Sequence, residues 1–190
     1  MRTLVLDNYD SFTYNLVHLI RELGYGAEMD IYRNDAISLE AVEQYDKILL
    51  SPGPGVPKDA GIMMDVIQKY APHKSILGIC LGLQGIAESF GGTLINMKEV
   101  CHGLALNTLV TQAEATYFQG VPNNFDSGRY HSWMVAEENF PEELQVTAKD
   151  DENRIMALSH KKYDVHGLQF HPESILTPHG KTMIANWLRG

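Results

Sequence analysis

A single cysteine lies at the turn between an apolar run and a stretch with helical spacing. Residues 76–92 read ILGICLGLQGIAESFGG, which places Cys80 between Gly78 and Gly82. Flanking glycines permit a sharp strand-to-helix turn, and the helix that follows directs its free N–H groups at the sulfur. Both features favour a negative charge on the sulfur, which is the reactive form of a thiol. The pattern predicts a nucleophile, although it is also compatible with a small buried cysteine that packs as a hydrophobic residue.

A candidate base lies near the end of the chain. In the segment QFHPES an apolar run ends in His171, and Glu173 lies two positions further on. Because residues i and i+2 of an extended segment project to the same side, Glu173 can accept from one ring nitrogen and leave the other free for Cys80. A thiol nucleophile needs such a proton carrier. We therefore predict a Cys-His-Glu triad, the alternative for the pair alone being a strand-end histidine beside a solvated glutamate.

A loop rich in proline and glycine is a candidate site for stabilising negative charge. Residues 51–59 read SPGPGVPKD, in which the prolines stiffen the loop while Gly53 and Gly55 let backbone N–H groups approach a ligand. The phosphate-binding pattern G-x-x-x-x-G-K-[ST] is absent. We expect an oxyanion hole made by the N–H groups of Gly53 and Leu81, the alternative being a rigid turn between a strand and a helix.

The elements that must position these residues alternate in the first half of the chain. Strands are predicted in TLVLD, AEMDIYR, YDKILLSPGPG and KSILGI. Helices are predicted in DSFTYNLVHLIREL, AGIMMDVIQKY and the segment from Cys80 to about Phe90, the first with Asp10 or Ser11 as its N-cap. Strands that alternate with helices predict a parallel sheet with helices on both faces.

The pattern changes from about residue 93. The runs TLINM, GLALNTLV, GRYHSWMVA, ELQVTAKD, RIMALSH and DVHGLQF are strand-like, and charged turns such as KDDEN indicate antiparallel hairpins. The final segment, KTMIANWLRG, predicts an amphipathic helix docked on the sheet. We predict one domain over residues 1–190 with an α/β fold: a doubly wound, mainly parallel, flavodoxin-like sheet with helices on both faces and an antiparallel β extension.

Composition limits the classes of function. The chain has 190 residues and a formal net charge of −9, which argues against binding to nucleic acid or to an anionic membrane. No apolar stretch approaches the roughly 18 residues of a membrane span, and the N-terminus predicts a strand and not a signal peptide. Two cysteines without a pairing pattern suit a reducing compartment. We expect a soluble cytoplasmic protein with no cofactor and no metal site, since the histidines lack ligand spacing.

Together these motifs resemble a known family. SPGPG, GICLGLQ and FHPES, in this order and at these separations, resemble a class I glutamine amidotransferase domain, and the resemblance runs from Met1 to the last helix. LDNYDSFTYNL and RYHSW resemble more narrowly the glutaminase subunits of anthranilate synthase and of the related aminodeoxychorismate synthase, and the full set of motifs favours the former. Other interpretations are an elbow hydrolase such as a peptidase or esterase relative, and a flavodoxin-like binding module without catalysis.

The resemblance implies a role for each motif. Cys80 would form a γ-glutamyl thioester from L-glutamine, and His171, oriented by Glu173, would carry the proton. The implied substrate-binding residues are Gly53, Pro54, Gly55, Leu81, Gln84, Ser132 and Trp133. The ammonia would pass to a large chorismate-binding synthase subunit, and residues 8–13 and 130–131 are expected near that partner.

Two positions depart from the family pattern. Leu83 stands where the family usually has histidine, and Leu104 stands where a lysine commonly follows the His-Gly pair. Neither change removes a member of the predicted triad. Cys101 is expected to be a packing residue and not a second catalytic thiol.

Overall fold

The computed structural model describes residues 1–98 and 100–190. Its strands and helices form a three-layer arrangement, with a sheet between two layers of helices. The helices are α1 (Thr13–Glu22), α2 (Met63–Tyr70), α3 (Leu81–Ser89) and α4 (Gly180–Arg189). The strands of the first half are β1 (Thr3–Asp7), β2 (Met29–Arg33), β3 (Lys47–Leu50) and β4 (Ser75–Ile79). Those of the second half are β5 (Leu94–Asn96), β6 (Leu104–Val110), β7 (Asn124–Arg129), β8 (Trp133–Val135), β9 (Leu144–Lys149), β10 (Ile155–His160) and β11 (Val165–Leu168).

Nine strands form one sheet in the order β2-β1-β3-β4-β11-β10-β9-β6-β7. The first five are mutually parallel, and the pairs from β11 to β7 are antiparallel. The predicted α/β fold with an antiparallel extension is confirmed. DVHGLQF was expected in a hairpin, and β11 does pair antiparallel with β10, but its other edge pairs parallel with β4.

Alternating side chains of the strands bury two apolar layers. Leu4 and Leu6 of β1 belong to the layer under α2 and α3, whereas Val5 belongs to the layer under α1 and α4. The side-chain period of two in an extended chain produces this division. Burial of both faces explains why the inner strands β1, β3 and β4 read as largely apolar runs.

Two local predictions are wrong. GRYHSWMVA is not one strand: β7 ends at Arg129, and β8 begins at Trp133 and pairs with β5 in a separate two-stranded sheet. The chain must leave the main sheet between them, so residues 130–132 form a connection. The N-cap of α1 is Phe12 and not Asp10 or Ser11. The Asp10 carboxylate instead accepts from the Phe12 N–H (2.7 Å) in a turn ahead of the helix.

The described residues contain no helix long and apolar enough to cross a membrane. They also contain no group of three or more His, Cys, Asp or Glu side chains arranged to hold a metal ion. Both cysteines are unpaired and buried.

Candidate active site

Cys80 lies at the sharp turn between β4 and α3. Its backbone has φ 53° and ψ −101°, a conformation that side-chain-bearing residues seldom adopt. A Cβ on Gly78 would lie 2.4 Å from the carbonyl carbon of Gly82, and a Cβ on Gly82 would lie 2.7 Å from the Leu50 oxygen. The flanking glycines therefore let α3 approach the sheet closely enough for the turn to form. The hydrogen bond from the Cys80 N–H to the Leu168 oxygen (2.7 Å) holds this strained backbone in place.

His171 and Glu173 lie in the connection that follows β11. Nδ1 of His171 is 2.8 Å from Oε1 of Glu173, and both side chains are buried. Because an ionised carboxylate can only accept, Nδ1 carries a proton, and Nε2 is the ring nitrogen that Glu173 leaves free. Nε2 has no hydrogen-bond partner among the described residues. The imidazole packs edge-on against the Phe12 ring at a centroid distance of 5.2 Å and beside the Tyr130 ring at 4.8 Å.

The environment of His171 favours its protonated form. Burial by itself lowers the pKa of the imidazole, but the adjacent Cys80 sulfur and the Glu173 carboxylate outweigh burial and raise the pKa to about 10. A thiol proton transferred from Cys80 to this ring is thereby retained next to the sulfur. The arrangement suits an imidazole that takes a proton from a thiol and later gives it to a leaving group.

A cavity of about 480 Å³ opens beside Cys80. Its volume lies within the range typical of small-molecule sites. Six of the predicted residues line it together with Cys80, namely Gly53, Pro54, Gly55, Gln84, Ser132 and Trp133. Tyr9, Asp10 and Ser11 also line it, so the connection after β1 does lie at the sheet end that carries Cys80.

Leu81 is not among the residues that line the cavity, because its side chain is buried in the core. A Cβ on Gly53 would lie 2.7 Å from Cδ2 of Leu81 and 2.6 Å from Cβ of Asn8. Only glycine therefore lets the loop after β3 approach α3 this closely. Leu81 is the first residue of α3, and its N–H has no acceptor within the helix. Gly53 and Leu81 thus remain candidate donors to an oxyanion.

Leu83 does not face the cavity either. Its side chain is fully buried in the apolar layer under α2 and α3, and a Cβ on Gly167 of β11 would lie 2.9 Å from Cβ of Leu83. A leucine at this position fills the contact between α3 and β11. Leu104 begins β6 and is half exposed, opposite Arg129. Cys101 is buried, and its N–H donates to the His131 oxygen (3.1 Å), which supports the packing interpretation.

The sequence did not predict Gln169 and His131 as residues of the catalytic site or the substrate cavity. Gln169 is fully buried, and its amide Nε2 lies 3.6 Å from the Cys80 sulfur. His131 lines the cavity, and its Nδ1 lies 2.9 Å from the Trp133 oxygen, so that Nδ1 must be the protonated nitrogen. For Gln169 the available signal was a polar residue at the end of an apolar strand, close to the proposed base.

Known proteins that are similar to this chain identify the class to which it belongs. The family model for class I glutamine amidotransferases matches residues 4–190, so the chain belongs to this family. It is 44% identical over 189 residues to the bifunctional protein TrpGD of Thermotoga maritima, covering 98% of this chain and 32% of that protein.

A further relative agrees with this assignment, and a solved structure shares the fold. The chain is 42% identical over 193 residues to anthranilate synthase component 2 of Pseudomonas aeruginosa, covering 98% of this chain and 94% of that protein. A solved structure of a glutamine amidotransferase from Thermotoga maritima superposes with a TM-score of 0.76 at 15% identity, covering 100% of this chain and 96% of that one. At that identity the likeness shows the fold alone.

The buried His131 predicts a pH dependence of stability. Burial lowers its pKa to about 4. A base whose pKa is depressed by folding takes up its proton more readily when unfolded, so stability is lost as pH falls from about 6.5 towards 4. Between pH 8 and pH 5 this residue should remove about 2 kcal/mol of unfolding free energy. The unfolding free energy, measured in urea at both pH values, should therefore fall less in His131→Asn than in the parent chain, by that same amount.

The matched control is His73→Asn, which alters an exposed histidine and should leave the pH dependence of the parent chain unchanged. The amide introduced by His131→Asn can still donate to the Trp133 oxygen, so the comparison isolates the ionisation of the ring. Equal losses of stability in His131→Asn and the parent chain would show that the ring is not held neutral by burial.

Proposed function

We propose that this chain is a glutaminase subunit that releases ammonia from L-glutamine for a chorismate-aminating synthase subunit, most specifically that of anthranilate synthase. The single observation that carries the proposal is the Cys80 turn with the His171–Glu173 pair beside a cavity lined by backbone and amide groups. The relative from Pseudomonas aeruginosa is named anthranilate synthase component 2 and matches almost end to end.

In the proposed reaction the Cys80 sulfur attacks the side-chain amide carbon of glutamine. His171 holds the thiol proton on Nε2, and Glu173 stabilises the imidazolium through Nδ1. The N–H groups of Gly53 and Leu81 receive the negative charge on the amide oxygen, and each such donor is typically worth about 3–4 kcal/mol in the transition state.

The tetrahedral intermediate then collapses with loss of ammonia. The C–N bond breaks as His171 gives its proton to the departing nitrogen, which leaves a γ-glutamyl thioester on Cys80. Water, deprotonated by the same ring, attacks the thioester carbon. Cleavage of the C–S bond releases glutamate and regenerates Cys80 with its proton.

The cavity suits the amino-acid part of the substrate. Gln84 offers an amide, and the backbone at Gly55, Ser132 and Trp133 offers further small polar groups, as a zwitterionic ligand requires. Tyr9, Asp10, Ser11 and Tyr130 also line the cavity, and they belong to the two segments expected near the partner. Ammonia released here would need a closed route to the partner, because in neutral water it is protonated and loses its nucleophilicity.

The test is reconstitution with a large anthranilate synthase subunit and chorismate. We expect anthranilate to form from glutamine only when both chains are present, and from ammonium salts with the large subunit alone. In a parallel reaction the large subunit of aminodeoxychorismate synthase replaces that of anthranilate synthase. Mass spectrometry then distinguishes anthranilate from aminodeoxychorismate as the product. Cleavage of simple esters without hydrolysis of glutamine in the complex would instead identify an elbow hydrolase of another class.

A further inference from the structure

A continuous series of hydrogen bonds joins the wall of the glutamine pocket to the catalytic sulfur. The Gln84 Nε2 lies 2.9 Å from the Trp133 oxygen and 3.2 Å from Oε1 of Gln169. The Gln169 Nε2 lies 3.6 Å from the Cys80 Sγ, within hydrogen-bonding range for sulfur. Gln169 has no exposed surface, and its backbone N–H donates to the Met156 oxygen (2.9 Å). The residue is thus held at both its backbone and its amide.

The direction of these hydrogen bonds is fixed by chemistry. A backbone carbonyl can only accept, so Gln84 must present its NH₂ group to Trp133. The same NH₂ group is the one that reaches Gln169, so Gln169 must present its oxygen to Gln84 and its NH₂ to Cys80. Turning either amide over would set two donors or two acceptors against each other. The group that faces the sulfur is therefore an N–H donor.

We propose that Gln169 is a positioning residue that donates an N–H to the Cys80 sulfur, favours its thiolate form and holds it facing His171. The role rests on the proposed function, in which the thiolate is the nucleophile. Hydrogen bonds to an ionised partner are roughly twice as strong as neutral ones, so this contact gains strength when Cys80 loses its proton. The contribution is distinct from that of Glu173, which contacts His171 and acts on the sulfur only through the ring.

A merely structural role for Gln169 makes a different prediction. A buried glutamine that only fills space would be replaced by methionine, which has a similar length, without any change in the chemistry of the thiol. A donor to the sulfur would instead change how readily Cys80 ionises. The two roles are separated by measuring the reactivity of the thiol itself, in the absence of glutamine and of a partner chain.

The experiment follows alkylation of Cys80 by iodoacetamide from pH 5 to pH 10 in a Cys101→Ala background, which leaves one thiol. The variants are Gln169→Met, which removes the donor, and Gln169→Glu, which replaces it with a carboxylate oxygen. Gln68→Met, at an exposed position of α2, is the matched control. We expect the alkylation rate constant at pH 6.5 to fall about tenfold in Gln169→Met and further in Gln169→Glu. The limiting rate at high pH should stay within about twofold of the parent.

A pH profile of alkylation that is unchanged in both folded Gln169 variants would overturn the proposal. If neither variant folds, Gln84→Met releases the Gln169 amide from its fixed orientation, and a shift in the same direction is required. Because the assay contains no glutamine, its outcome is separate from that of the proposed function. A shifted profile in a chain that fails to hydrolyse glutamine in the complex would reject the proposed function alone.

Discussion

Replacing Cys80 with alanine is expected to abolish glutamine-dependent activity, with a fall in kcat of about 10⁴-fold or more. The side chain provides the sulfur of the thioester, and no other described thiol lies in the cavity. Steady-state glutamate release by the reconstituted complex is the measurement. The ammonium-dependent reaction of the large subunit should be unaffected, because it bypasses this chain.

Cys101→Ala is the matched control for that substitution. Cys101 is equally buried but lies outside the cavity, so its loss should leave kcat within about twofold of the parent. Wild-type turnover by Cys80→Ala in the complex would show that the nucleophile is misassigned.

Replacing Glu173 with glutamine is expected to lower kcat by about 10³- to 10⁴-fold while KM for glutamine changes less than about threefold. The carboxylate contacts Nδ1 of His171 and is fully buried, so the neutral amide removes a charge that raises the pKa of the imidazole. Glutamine at this position can also present its NH₂ group and stabilise the wrong tautomer. The residues that line the substrate cavity do not include Glu173, so the pocket is left intact.

Initial-rate kinetics over a range of glutamine concentrations separate the two parameters. The exposed Glu142→Gln provides a control with the same chemical change and no contact to the ring. A variant Glu173→Gln with parental kcat and a raised KM would assign Glu173 to substrate binding and not to orienting the base.

The features that sequence predicts correctly are those that depend on local pattern. Apolar runs followed by helical periodicity identify β1, β3 and β4 and the helices that follow them, since burial on both faces of a parallel sheet favours apolar residues at most positions. The Cys80 turn follows from two glycines at fixed spacing. The His171–Glu173 contact follows from the period of two in an extended segment, and the observed distance of 2.8 Å agrees with it.

The features that sequence misses depend on pairing between distant segments. Residues 128–136 were predicted as one strand, but the chain passes from β7 in the main sheet to β8 in a second sheet. The pairing of β7 with β6 and of β8 with β5 decides where the strand breaks. The same break brings His131 and Trp133 to the cavity. Gln169 was overlooked because its partners, Cys80 and Gln84, lie 89 and 85 positions away in the chain.

Covalent labelling of the glutamine pocket tests the central claim most directly. The complex would be treated with a glutamine analogue in which a chloroketone replaces the side-chain amide, and the modified residue would be located by peptide mass spectrometry. We predict one equivalent of label on Cys80, loss of glutamine-dependent activity in proportion to labelling, and protection by glutamine. Complete inactivation with Cys80 unmodified would contradict the assignment of Cys80 as the residue that attacks glutamine.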